Sequence, residues 1–111
     1  MLPKKLRLKK KKEFERVFRN GLSAAQGNLR LCFLKNELGF NRFAIATKKG
    51  TFSSNPAKNR AKRILSELIR LNLKKIKKSY DMIIIVKNVD NYLSTALAKI
   101  LKKTGLLEAE I

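Results

Sequence analysis

Residues 55–75, NPAKNRAKRILSELIRLNLKK, decide the architecture of this chain. Ala57, Ala61, Ile64, Leu65 and Leu68 recur at i, i+4, i+7, i+8 and i+11, the spacing that lines apolar side chains along one side of an α-helix. Asn55 reads as the N-cap and Pro56 as the first helical residue, where the proline's missing N–H is no loss because that position has no intrahelical acceptor. The spacing predicts one long helix reaching about residue 75.

Working outward, the apolar period upstream falls to two. Leu29, Leu31 and Phe33 share one face of a strand, Phe43 and Ile45 one face of another, and residues 36–41, with Gly39, supply a turn. Residues 22–26 read as a weaker extra strand, so an antiparallel pair or a three-stranded meander is expected. Downstream, Met82, Ile83, Ile84, Ile85 and Val86 run without a polar break, as in a strand covered on both faces. At the start, Phe14, Val17 and Phe18 predict a short helix over residues 12–20, closed by Gly21 in the positive-φ conformation that often ends helices. Leu93, Ala96, Leu97, Ile100 and Leu101 predict a last helix, capped by Asp90 and stopped at Gly105. The order helix, three strands, helix, strand, helix makes an α+β two-layer sandwich with helices packed on a small sheet. No internal repeat or interdomain linker interrupts it, and the polar stretch 48–55 is a loop.

With 111 residues there is room for one domain, 1–111, and one modest core. Lys and Arg number 27 against 8 Asp and Glu, a formal charge of +19 that repels itself until anions neutralise it. The expected partner is a polyanion. No apolar run approaches the ~20 residues needed to span a bilayer. The opening MLPKKLRLKKKKEF lacks the apolar core of a signal peptide, so a cytoplasmic location is expected. Residues 1–12 read as a basic arm, mobile until a negative partner orders it. Cys32 is the single cysteine, which removes an intrachain disulfide, and the chain has no histidine, the commonest general base and metal ligand near neutral pH.

Projected at 100° per residue, the long helix sets Asn59, Arg63, Ser66 and Arg70 on a ridge opposite its apolar face, flanked by Lys58 and Lys62 on one side and Arg60 and Glu67 on the other. Its first two turns hold Lys58, Arg60, Lys62 and Arg63 and no acid, although the positive end of the helix dipole favours acids by ~0.3 to 1 kcal/mol each. A conflict of this kind points to function, because free N–H groups at a helix start together with four cations make a phosphate site. The alternative is a solvated basic face. Glu67 is expected to pair with Arg63, one turn back. The eight acids, Glu13, Glu15, Glu37, Glu67, Asp81, Asp90, Glu108 and Glu110, are scattered and form no evident metal or acid–base pair.

The run Lys58, Asn59, Arg60, Ala61, Lys62, Arg63 through Arg70 resembles the RNR motif helix of the bacterial ribonuclease P protein family. Residues 2–8, then Phe14, Val17, Phe18 and Gly21, resemble that family's N-terminal pattern, and Thr47, Lys48, Lys49 and Gly50 resemble the strand end before its motif helix. The likeness covers essentially the whole chain. It departs at Lys58, where the motif usually begins with Arg, and in the longer loop 50–57 with its Pro56. The resemblance implies a parallel β-α-β crossover of unusual left hand, where chain sterics favour the right. It also implies an accessory subunit of an RNA-dominated endonuclease that removes 5′ leaders from precursor tRNA, binding no cofactor tightly, with Mg²⁺ at the RNA active site and no catalytic residue in the protein. On that likeness Lys58, Asn59, Arg60, Lys62, Arg63 and Arg70 meet the catalytic RNA, and Phe14, Phe18, Cys32, Lys48 and Lys49 form a cleft for the leader. Cys32 stands where relatives carry an aromatic contact, so stacking there is lost.

For Phe14 and Phe18, core packing is the competing reading, and for Lys48 and Lys49 a polar turn. A ribosomal or other structural RNA-binding protein is the main alternative function. A DNA-binding regulator is disfavoured for want of a compact helix-turn-helix or dimer-forming heptads. Peripheral membrane binding is disfavoured because the apolar faces are needed for the core.

Overall fold

The structure, a computed structural model, describes residues 3–48, 54–89 and 92–107. Helix α1 spans Lys11–Asn20, strands β1 to β3 span Leu22–Gln26, Leu29–Lys35 and Arg42–Thr47, helix α2 spans Asn55–Asn72, strand β4 spans Tyr80–Val86 and helix α3 spans Leu93–Lys103. Short 3₁₀ turns occupy Lys4–Leu6 and Leu73–Lys75. Every expected element is present.

The sheet order is β1-β2-β4-β3. β1 and β2 form a hairpin, β4 pairs antiparallel with β2, and β3 lies parallel to β4 on the outside. The expected meander is therefore corrected, since β2 and β3 are not neighbours and β4 inserts between them. The physical reason lies in β4 itself: a run this apolar needs cover on both faces and a strand on both edges, and only the central position provides them. β3, α2 and β4 form the parallel crossover.

Side chains alternate between two apolar clusters. Leu29, Leu31, Phe33, Phe43, Met82, Ile84 and Val86 face α2 and α3, where Ala61, Leu65, Ile69, Leu97 and Ile100 complete the main core. Cys32 and Ile83 face the other way, toward Val17 of α1 and Leu8. Sheet, α2 and α3 thus make the two-layer sandwich, and α1 lies alone across the opposite face. Part of that face stays open, with Arg30 exposed and Ala46 and Ile85 only half-buried.

Three local expectations are revised. The N-cap of α2 is Ser54, whose Oγ accepts from Ala57 N at 3.3 Å, so that Asn55 and Pro56 both lie inside the first turn. Gly21 has φ −83°, not a positive φ. Glycine is required there for space: a Cβ would lie 2.5 Å from the Phe33 carbonyl oxygen and closer still to that of Val17. Residues 3–8 do not form a free arm. Leu8 is buried, its N–H donates to Phe43 O at 2.8 Å, and Arg7 bridges to Phe43 along the outer edge of β3. Leu8 within the basic run supplies an apolar anchor, and β3 offers an unpaired edge to cover. Gly105, with φ 76°, ends α3 as expected, whereas Asp90 lies outside the described residues.

Candidate nucleic-acid interface

Helix α2 sets Asn59, Arg60, Lys62 and Arg63 in solvent, with Lys58 half-buried. The first turn of α2 holds no acid. The ridge assigned from projection is incomplete, because Ser66 is buried: it sits beside Leu65 and one turn from Ile69 and Lys62, on the flank that turns toward β3. Glu67 pairs with Arg70 and not with Arg63, its Oε2 accepting from Arg70 Nε at 3.0 Å. That hydrogen bond holds the Glu67 carboxyl below its ordinary range. Arg70, the sixth residue expected at RNA, is thus engaged with an acid, while Arg60 and Arg63 stand exposed in the acid-free turns.

Two grooves lie beside helix α1 on the flank that carries Phe14 and Phe18. One, of about 370 Å³, is lined by Leu8, Phe14 and Ala44 together with Lys62 and Ser66 of α2. The other, of about 400 Å³, is lined by Phe18, Leu22, Arg30, Cys32 and Ile85. Phe14 is half-buried, whereas the Phe18 side chain is 55% exposed. The core reading of Phe18 does not hold. Cys32 is almost wholly covered and contributes floor. Lys48 is exposed just beyond β3, with its N–H donating to Val86 O at 2.9 Å, and Lys49 lies outside the described residues.

Beside these grooves lies a polar centre that sequence reasoning missed. Asp81, fully buried in the central strand, accepts four hydrogen bonds. Arg42 Nε and Asn36 Nδ2 each reach Oδ1 at 2.9 Å, and Arg42 Nη2 and Arg16 Nη2 reach Oδ2 at 2.8 and 3.1 Å. A carboxylate has about four lone-pair positions, so this one is saturated. Arg42 Nη1 also meets Glu13 of α1 at 3.0 Å. Burial alone would raise the Asp81 carboxyl, but the hydrogen bonds from Arg42 and Asn36, with the charges of Arg42 and Arg16, outweigh it and hold the group below its usual range. The signal available in the sequence was an aspartate opening an otherwise unbroken apolar strand in a chain with only 8 acids.

A basic α+β domain with a helix of exposed donors and a half-open sheet face rimmed by aromatics defines a nucleic-acid-binding protein. Comparison with known proteins narrows this. The family model for Ribonuclease P matches residues 2–107. The ribonuclease P protein component of Clostridium botulinum strain Langeland is 36% identical over 109 residues, covering 93% of this chain and 97% of that one. The Alkaliphilus oremlandii protein component is 33% identical, covering 95% and 96%. Among solved structures, the Staphylococcus aureus RNase P protein shares the fold with a TM-score of 0.82 at 23% identity, over 93% of this chain and 98% of that one. The Thermotoga maritima RNase P protein aligns with a TM-score of 0.75 at 25% identity, over 87% and 96%. The chain belongs to the bacterial ribonuclease P protein family. The family role is RNA binding within an endonuclease ribonucleoprotein of tRNA processing. Among the described residues no helix is long and apolar enough to cross a membrane.

Proposed function

We propose that this chain holds the catalytic RNA of ribonuclease P against the exposed donors of α2 and lays the 5′ leader of precursor tRNA along the grooves beside α1. The observation that carries this reading is the continuity of the two surfaces: Lys62 and Ser66 of the motif helix line the same groove as Phe14. A polyanion bound at the start of α2 therefore leads directly into a channel with an aromatic wall. Lys58, Asn59, Arg60, Lys62 and Arg63 supply phosphate donors, and Arg70 joins them on release from Glu67. Phe14 and Phe18 offer faces for unpaired bases, a contact worth ~1 to 3 kcal/mol per base. Cys32 gives apolar floor without stacking, Lys48 meets the leader backbone just beyond β3, and Lys49, next in the sequence, adds a second cation for it.

In this reading cleavage is the work of the RNA, with Mg²⁺ held there, in the cytoplasm. Three of the acids are already occupied, since Asp81 is saturated, Glu13 faces Arg42 and Glu67 faces Arg70. The test is cleavage of a leader-bearing precursor tRNA at low Mg²⁺ by the organism's own catalytic RNA, with and without this protein. Stimulation is expected, and its absence would refute the assignment.

A further inference from the structure

We infer that Asp81 is a positioning residue for leader recognition, acting through Arg16 and through Arg42 with Glu13 to fix the roll of α1 and so the placement of Phe14 and Phe18. The inference builds on the leader-groove reading above.

Helix α1 is ten residues long and buries a single side chain, Val17. Val17, with Phe14 half-buried beside it against the same cluster, fixes where the helix touches the sheet and leaves its rotation about its own axis to be set by the contacts on the opposite flank. At 100° per residue, Glu13 and Arg16 fall on one side of Val17, by about 40° and 100°, and Phe14 and Phe18 fall on the other by about 60° and 100°. The ionic clasp and the aromatic rim are thus opposite flanks of one lever. A roll of ~20° would carry a ring ~5 to 6 Å from the axis by about 2 Å, enough to break a stacking contact.

The clasp is built to resist that roll. Its fixed point is the central strand: Asp81 is paired in register with Leu34 of β2 and Arg42 of β3, and its side chain has no exposure. Arg42 binds it through two donors in fork geometry, which restricts the guanidinium more than a single contact can. That guanidinium turns its remaining edge to Glu13 at 3.0 Å, while Arg16 reaches Asp81 directly at 3.1 Å. The two α1 side chains, one turn apart, therefore hold the helix to the same buried centre. Asn36, in the β2–β3 turn, closes the fourth acceptor position and is itself fixed by donating to Phe40 O and by its backbone bond to Ser79 O. None of these groups belongs to the exposed donors of α2 or lines the Phe18 groove.

Asp81→Asn replaces an acceptor with a donor at a carboxylate saturated by donors, and its folding defect would mask any effect on the tRNA. The decisive variants are Glu13→Ala and Arg16→Ala, at partly exposed side chains. Each is assembled with the catalytic RNA, and Kd is measured for precursor and mature tRNA across a salt series, with Phe18→Ala in parallel. Both clasp variants should lower the precursor-to-mature affinity ratio about fivefold, within the range for changes acting through a packed network, with the salt slope unchanged. Arg16→Lys should restore part of the ratio. The two variants change charge in opposite senses, so a direct phosphate contact by Arg16 would lower the ratio and the slope for Arg16→Ala alone, and that pattern overturns the inference. An unchanged ratio in both, with Phe18→Ala still impaired, reduces the clasp to a structural role and also overturns it. If Phe18→Ala leaves the ratio intact as well, the leader-groove reading fails and takes the inference with it.

Discussion

Replacing Phe18 with alanine separates a groove wall from a core side chain, and the structure sets the size of each effect. The residue is 55% exposed, so a little under half of its ~200 Å² is covered. At ~25 cal/mol per Å² that cover contributes at most ~2 kcal/mol to folding, an upper estimate because the unfolded chain also hides some surface. A phenylalanine in the core would cost ~3 to 5 kcal/mol. Loss of one stacked base would cost the precursor complex ~1 to 3 kcal/mol, roughly fivefold to more than a hundredfold in Kd, and mature tRNA has no leader to lose. The assay is equilibrium binding of both RNAs to holoenzyme assembled at saturating protein, so that a small unfolded fraction does not register, with thermal melting alongside. Melting should shift by less than about 9 °C while precursor affinity falls alone. Equal losses for precursor and mature tRNA would remove Phe18 from the leader site.

Arg60→Ala or Arg63→Ala should weaken binding to the catalytic RNA and reduce its salt slope by ~0.7 to 0.9 per phosphate contact, with stability nearly unchanged; a variant that unfolds yet binds normally per folded molecule would make the helix structural only. Because the Asp81 carboxyl is held below its ordinary range, its stabilisation is complete above the unfolded value of ~3.9 and fades as pH falls through the lower native value. Wild type should therefore exceed Asp81→Asn by ~3 kcal/mol or more near pH 7, with the gap closing in strong acid; a gap independent of pH down to acid unfolding would contradict this. Gly21→Ala should cost ~1 to 3 kcal/mol in denaturant unfolding, because its backbone conformation suits alanine and the Phe33 and Val17 carbonyls do not; a neutral result would show that the helix–strand junction yields easily.

The sequence by itself determined the elements and the kind of partner. Apolar spacing located α2 and α3, the unbroken run at 82–86 marked a strand covered on both faces, and a charge of +19 with four cations and no acid over two helical turns pointed to a polyanion bound through its phosphates. These signals are local: side-chain periodicity follows the geometry of a single helix or strand, and net charge needs no fold at all. What only the tertiary structure decided is which elements become neighbours. Period-two patterns in β2 and β3 say which face is buried but not that β4 will enter between them, and helical projection put Ser66 in solvent where the β3 edge covers it. The Asp81 centre shows the limit most plainly. Its partners Glu13, Arg16, Asn36 and Arg42 lie 39 to 68 positions away, and no spacing rule links them. A buried carboxylate is stabilised only when several donors converge on it from different elements, and that convergence exists only once the sheet and α1 have assembled.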